Sequence, residues 1–295
     1  MRYLRTLAMT LGGLLVLCWA VIAFSNRARL LVDEQYFAHQ PQARTRKLAL
    51  FSVLGFLRPA RMQVEPRVSL KLYPLDLISR SILKYGSWQP EVWDSLNSSL
   101  CDSAVLLDVG AHIGYFSLKG AAKVGPRGRV VSFEPNPETL DELRANIDAS
   151  HVDSIVTVQP IACSDRDQQL TLYASRIWNT GSSSLSKENA GNFDDAPKPY
   201  QVRGRPIDDV VRELRLQRVD AIKIDVEGAE VSVLRGAMET LKRFHPKVVM
   251  EIVAEQLASL GTKPDDVFGL LRQAGYDAGK KIDGVGDWEF SWLRP

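Results

Sequence analysis

Residues 105–134 read VLLDVGAHIGYFSLKGAAKVGPRGRVVSFE, and the order of residue types in this stretch decides the fold. Val105–Val109 is a short apolar run that stops at a glycine, the pattern of a buried strand. Tyr115–Lys123 then has helical character, and Val130–Phe133 is a second apolar run. Strand, helix and strand in so few residues make one unit of a parallel sheet, because parallel neighbours need a crossover and the crossover is usually a helix.

The same alternation continues outward. Ile155–Gln159, Ala221–Val226 and Lys247–Ile252 read as further core strands, and Pro137–Ala149, Ala229–Phe244 and Pro264–Ala274 as helices. In Ala229–Phe244 the residues Val231, Leu234, Met238 and Leu241 recur at helical spacing and make one face for the core. Tyr276–Ile282 and Trp288–Trp292, around Asp283, Gly284 and Gly286, read as a terminal antiparallel hairpin. The predicted class is therefore α/β, a doubly wound, mostly parallel sheet closed by that hairpin. Leu170–Tyr173 and Gln201–Arg203 read as short strands bracketing the polar stretch Ser175–Tyr200, which contains WNTGSSS. A loop of that length is either functional or a mobile surface segment.

In an open parallel sheet, ligands bind beyond the carboxyl ends of the strands. The turn there is DVGAHIG, Asp108 to Gly114. Gly110 permits a sharp turn and close backbone approach, and Gly114 permits tight packing of helix on strand. The turn is not the G-x-G-x-x-G of a dinucleotide site, since His112 stands within a Gly-x-x-x-Gly spacing. Asp108 beside it suits a cationic ligand better than a pyrophosphate. Glu134 ends the second strand about twenty residues further on, where an acid can accept both hydroxyls of an adenosine ribose. Asp108, Gly110, Ala111, Gly114 and Glu134 together predict a nucleoside pocket.

Further along, Ile222 and Ile224 face one side of their strand while Lys223 and Asp225 face the other. Asp225 thereby reaches the ligand end of the sheet, where it can take or orient a hydroxyl proton; Glu227 competes for that role, and His112 is a third candidate base. Lys223 either pairs with Asp225 or braces the strand. Glu230 reads as an acid at the positive end of a helix.

Three segments, VLLDVGAHIGYFSLKGA (105–121), VVSFEPNP (130–137) and VDAIKIDVEGAEVSVLRGA (219–237), resemble the FkbM family of methyltransferases. KLYPLDLISRSILKYGSWQPE (71–91) also looks like the family's approach to its first strand, and the resemblance runs from about Val68 to Ile252. It implies a class I, Rossmann-like methyltransferase that moves a methyl group from S-adenosylmethionine, usually to a hydroxyl oxygen of a sugar or secondary metabolite. By matching positions, Asp108, Gly110 and Gly114 would border the methionine end of the donor and Glu134 its ribose. Pro135 and Asn136 would shape the adjoining wall, and Ala162, Cys163 and Asp165 the adenine end, with a plain turn as the other reading of Asp165. Asn179 and Ser183 of the polar loop are candidates to bind acceptor hydroxyls. A membrane-tethered nucleoside-binding module without catalysis is the competing class.

Leu7–Phe24 (LAMTLGGLLVLCWAVIAF) carries no charge and is flanked by Arg2, Arg5, Arg27 and Arg29. A helix rising about 1.5 Å per residue over this run comes close to spanning a hydrocarbon core of roughly 30 Å. The segment reads as a single-pass anchor, with a cleaved secretory signal as its rival. Arg27, Arg29, Arg44, Arg46 and Lys47 after it place the rest on the cytoplasmic side. The predicted organisation is an anchor over 1–32, a basic juxtamembrane linker over 33–66 and the globular domain over 67–295. Within the linker, Leu48–Leu57 is either a surface-lying helix or one packed on the domain. Lys and Arg total 37 against 35 Asp and Glu, a balance that argues against nucleic acid as a partner. The cysteines Cys18, Cys101 and Cys163 and the histidines His39, His112, His151 and His245 are too scattered to predict a disulfide framework or a metal cluster.

Overall fold

Residues 59–293 are described by the computed structural model, except 67, 75, 176–178, 193–195 and 284–285. The hairpin β1 (Ala60–Glu65) and β2 (Val68–Leu72) comes first, followed by α1 (Leu77–Tyr85) and α2 (Pro90–Asn97). Then come β3 (Val105–Val109), α3 (Tyr115–Val124), β4 (Arg129–Phe133), α4 (Pro137–Ser150), β5 (Val156–Gln159), β6 (Ala162–Cys163) and β7 (Gln168–Ala174). A 3-10 turn at Thr180–Ser182 precedes α5 (Lys187–Gly191), β8 (Lys198–Arg205), α6 (Ile207–Glu213) and β9 (Ala221–Ile224). The chain continues with α7 (Glu230–Arg235), α8 (Met238–Phe244), β10 (Lys247–Glu251), α9 (Ala254–Ser259), α10 (Pro264–Gln273), β11 (Lys280–Lys281) and β12 (Asp287–Phe290).

Seven strands form the main sheet in the order β11-β12-β10-β9-β3-β4-β5. β10, β9, β3, β4 and β5 are parallel neighbours, and β12 runs antiparallel to both β10 and β11. The doubly wound expectation is met, because alternate strand residues bury on opposite faces. Leu107, Val131, Ile222 and Val248 pack with Val210 of α6, Leu241 of α8 and Leu271 of α10. Leu106, Val130, Ala221 and Val249 pack with Leu96 of α2, Leu118 of α3 and Leu143 of α4. Chain order reverses between β3 and β9, so the carboxyl ends of these two strands flank the crevice where a ligand fits.

Several boundaries differ from the sequence expectation. The stretch read as linker up to Pro66 ends in a strand: β1 pairs with β2, whose Val68, Leu70 and Leu72 join the core beside α4. The short strands around the polar loop are longer than expected, and β6, β8 and β7 make a separate three-stranded sheet. Ala229–Phe244 is two helices. Asp208 separates them: its backbone N–H donates to the Gly236 carbonyl, and its carboxylate accepts from the N–H groups of Glu239 and Thr240 in the first turn of α8. Among the described residues no helix is long and apolar enough to cross a membrane; Leu7–Phe24 and Leu48–Leu57 lie outside them.

Removal of this cap gives the first test. Asp208→Ala is expected to lower unfolding stability in urea by about 0.5–2 kcal/mol, whereas Asp209→Ala, facing the exposed Arg212, is expected to leave it nearly unchanged. Equal effects would contradict the shared cap.

Candidate active site

The turn after β3 is built around its neighbours. Gly110 has φ +79°, and a Cβ there would lie 1.8 Å from the Asp225 carbonyl oxygen. The close approach predicted for Gly110 is thus to the end of β9, and it locks two strand ends together. Gly114 has φ +97° and would set a Cβ 2.7 Å from Leu143 Cδ1, so it lets α3 begin against α4. His112 is held at φ +51° with its backbone N–H donating to Glu134 Oε2 at 2.7 Å.

Beneath the turn lies a buried polar row across three strands, Ser132, Asp108 and Lys223, paired by the parallel register. Asp108 is fully buried; its Oδ2 accepts from Ser117 of α3 at 2.5 Å. Lys223 Nζ stands 3.9 Å from Asp108 Oδ1 and 3.3 Å from Asp225 Oδ2, and donates to the Gly110 carbonyl at 3.0 Å. Burial pulls this ammonium down, but Asp225 and Asp108 outweigh it and hold it above the usual lysine range. Burial pushes the Asp108 carboxyl up, with Lys223 opposing.

Above the row is a cavity of about 300 Å³. Of the residues predicted for the donor, Gly110, Ala111, Glu134, Pro135, Ala162 and Cys163 line it, as do His112, Lys223, Asp225 and Glu227 of the proposed chemistry. Four predicted donor residues do not. Asp108 faces down to Ser117 and Lys223, and Gly114 serves helix packing. Asn136 is the N-cap of α4 and accepts from the Glu138 N–H at 3.1 Å. Asp165 sits in a turn, where its backbone N–H donates to Ser232 Oγ and its carboxylate accepts from Gln168.

Glu134 is buried, and its carboxylate already has three donors. Oε1 accepts from the Asn136 N–H and the Thr139 hydroxyl, and Oε2 from the His112 N–H. Burial pushes the acid up, while the Asn136 and His112 amides pull it back. Since a carboxylate offers about four lone-pair sites, Oε2 keeps one for a ligand, which suits one ribose hydroxyl where the sequence reading expected two. Beside it Phe133, Ile161, Ala162, Cys163 and Leu172 make an apolar wall suited to a flat ring.

The opposite end is acidic. Asp225 and Glu227 follow β9 and Glu251 ends β10, and each offers an oxygen within 4.8 Å of the others, a spacing that suits shared protons or a divalent cation. Sequence reasoning missed Glu251, because only the adjacency of β9 and β10 in the sheet brings it here. Burial and the Asp225 charge push Glu227 up to about 8, Glu251 up to about 9 and the nearby Asp287 up to about 8. Glu230, at the start of α7, is buried, accepts from the Gly228 N–H at 3.1 Å, and is pushed up to about 7, mainly by burial.

The polar loop closes one side. Thr180 bonds to Asp76 and His112, Ser183 accepts from Asn136, and Ser184 donates to the Glu227 carbonyl. The described part is thus a cavity wall tied to Asp76, His112, Asn136 and the Glu227 carbonyl. Asn179 lines the cavity with its Oδ1 unpartnered among the described residues; Trp178 lies outside the described residues.

Comparison with known proteins gives the family of the chain. The family model for the methyltransferase FkbM domain matches residues 108–278, more than half of the chain. The chain belongs to the FkbM methyltransferase family. The chain spans only part of the length of several relatives it matches. It is 29% identical over 225 residues to the AMB antimetabolite synthetase AmbE of Pseudomonas aeruginosa, covering 66% of this chain but 10% of AmbE. It is 29% identical over 170 residues to the hexuronic acid methyltransferase AglP of Haloferax volcanii, covering 58% of this chain and 62% of AglP. To the 2-O-methyltransferase NoeI of Sinorhizobium fredii it is 28% identical over 151 residues, covering 47% of this chain and 59% of NoeI.

The acidic end of this FkbM site makes stability depend on pH. Glu251 keeps a proton in the folded protein up to about pH 9 that the unfolded chain releases near 4.5, so stability falls as pH rises through that window. Glu251→Gln removes this linkage. The melting temperature of the variant is expected to fall less than that of the wild type between those pH values; parallel falls would show that Glu251 carries no such proton.

Proposed function

We propose that the cavity binds S-adenosylmethionine and that the enzyme methylates a hydroxyl oxygen of a saccharide, glycolipid or secondary metabolite. The observation that carries this reading is the chemical division of one cavity. One end has the apolar wall and the open lone pair of Glu134 Oε2, which fit an adenine ring and a ribose hydroxyl. The other has Asp225, Glu227, Glu251 and Asn179, which fit a polyhydroxylated acceptor. Gly110, pressed against the Asp225 carbonyl and donating through its N–H to the Phe133 carbonyl, lies between them. When bound, S-adenosylmethionine supplies an electrophilic methyl group on a sulfonium centre.

The protein's own part is positioning and exclusion of water. Asp225, fixed by Lys223 and by its backbone bond to Val109, accepts a hydrogen bond from a hydroxyl of the polyhydroxylated acceptor and so positions it in the cavity. The pinned polar loop forms one wall of the cavity. Relatives named for hexuronic acid and for 2-O-methylation support a sugar hydroxyl as the acceptor. Leu7–Phe24 acts in this reading as a single-pass anchor that keeps the catalytic unit on the cytoplasmic side, near lipid-linked acceptors. Residues 33–57 then serve as a basic juxtamembrane linker.

The test is to incubate the full-length protein with methyl-labelled donor and, separately, uronic acid glycosides, envelope polysaccharide, RNA and protein. Label on a glycan oxygen is expected. Glu134→Gln is expected to weaken S-adenosylhomocysteine binding by at least about tenfold, the effect of one lost hydrogen bond to a charged group. Label confined to RNA or protein, or unchanged affinity in Glu134→Gln, would contradict the reading.

A further inference from the structure

A chain of hydrogen bonds reaches the cavity wall from the start of α1. Asp76 is buried there as the helix cap, its Oδ2 accepting from the Ser79 N–H at 2.8 Å. Its Oδ1 accepts from Thr180 twice, from the backbone N–H at 3.0 Å and from the hydroxyl at 2.9 Å. Thr180 Oγ1 also stands 2.6 Å from His112 Nε2. A hydroxyl has one proton, and Thr180 gives it to Asp76. Towards His112 it can only accept, so Nε2 carries the ring hydrogen.

This fixes the tautomer. A neutral imidazole with hydrogen on Nε2 has its acceptor lone pair on Nδ1. Nδ1 makes no hydrogen bond among the described residues, and His112 lines the cavity that also holds Asp225. Burial pulls the ring below its usual range and keeps it neutral, with the charges of Asp76 and Asp225 opposing and that of Lys223 assisting. Glu134 faces the same turn through the His112 backbone N–H.

We propose that Asp76 and Thr180 are positioning residues that present His112 Nδ1 as the acceptor of the substrate hydroxyl proton. This rests on the methyl-transfer reading above and assigns its proton. The acceptor O–H bond breaks and its proton goes to Nδ1. The electron pair left on oxygen forms the bond to the methyl carbon, as the carbon–sulfur bond breaks onto sulfur. The imidazolium so formed keeps Nε2–H on Thr180, whose hydroxyl stays on Asp76, so the carboxylate charge favours the protonated ring through one intervening group. Asp225 then holds a neighbouring hydroxyl of the acceptor while His112 takes the proton of the reacting one, and Thr180 with Asp76 orients the base.

Two readouts test this on the full-length protein with S-adenosylhomocysteine bound. Long-range proton–nitrogen NMR of His112 should show hydrogen on Nε2 in the wild type and in Thr180→Ser, and loss of that preference in Thr180→Val. Asp76→Asn retains a good helix cap but removes a charge that raises the ring, so its His112 titration should move to lower pH. With a uronic acid glycoside as the acceptor probe, His112→Gln should lower kcat by on the order of a hundredfold or more while S-adenosylhomocysteine still binds. The acid limb of the Asp76→Asn rate profile should move with the ring titration. Hydrogen on Nδ1 in the wild type, identical tautomers in Thr180→Ser and Thr180→Val, or a wild-type rate profile in Asp76→Asn would overturn the assignment. Failure of the wild type to label any glycan would count against the proposed acceptor instead, since the resonance readouts need no turnover.

Discussion

One buried ammonium organises the catalytic edge of this protein. Lys223 reaches Asp108 on the neighbouring strand, Asp225 two residues further along its own chain, and the Gly110 carbonyl in the turn above. A buried ion pair of this kind contributes little net stability, because desolvation offsets attraction, but removing one partner leaves a costly orphan. Its effect is geometric. It ties the ends of β3 and β9 together at the point where chain order reverses, and this sets the distance between the glycine turn and the acidic end of the cavity.

The rest of the site follows from that tie. With Gly110 pressed against the Asp225 carbonyl, only glycine fits the turn, and the chain must pass through His112 before α3 can start. The His112 amide then lands on Glu134, so β4 is drawn into the same arrangement, and the His112 ring is turned toward Thr180. The glycine turn, Glu134 and the polar loop are placed in succession by one strand pair.

Much of the fold was legible because it rests on local patterns. Apolar runs and the glycine turn located β3, β4, β9 and β10 to within about two residues, and the terminal hairpin was visible from its turn residues. The break between α7 and α8 was not legible, since its cause, Asp208, lies some thirty residues earlier. Glu134, Asp225, Glu227 and Lys223 were placed at the site by strand parity and spacing. Parity does not separate Asp108 from Lys223, which share a face; what keeps Asp108 out of the cavity lining is its full burial against Ser117 of α3, a contact that spacing along the chain does not reveal. Glu251 and Asp76 were invisible for a different reason. Each meets the site only through long-range packing; Asp76 lies in the 71–91 segment, but nothing in its spacing points to Thr180 or His112.

The central claim is that one cavity, bounded by Glu134 and by Asp225, holds the methyl donor. The most direct measurement is a crystal structure of the full-length protein with S-adenosylhomocysteine. The account predicts a single ribose hydroxyl on Glu134 Oε2, the adenine against Ile161, Ala162 and Cys163, and the sulfur turned toward Asp225. A nucleoside bound elsewhere, or one that leaves Glu134 untouched, would contradict it.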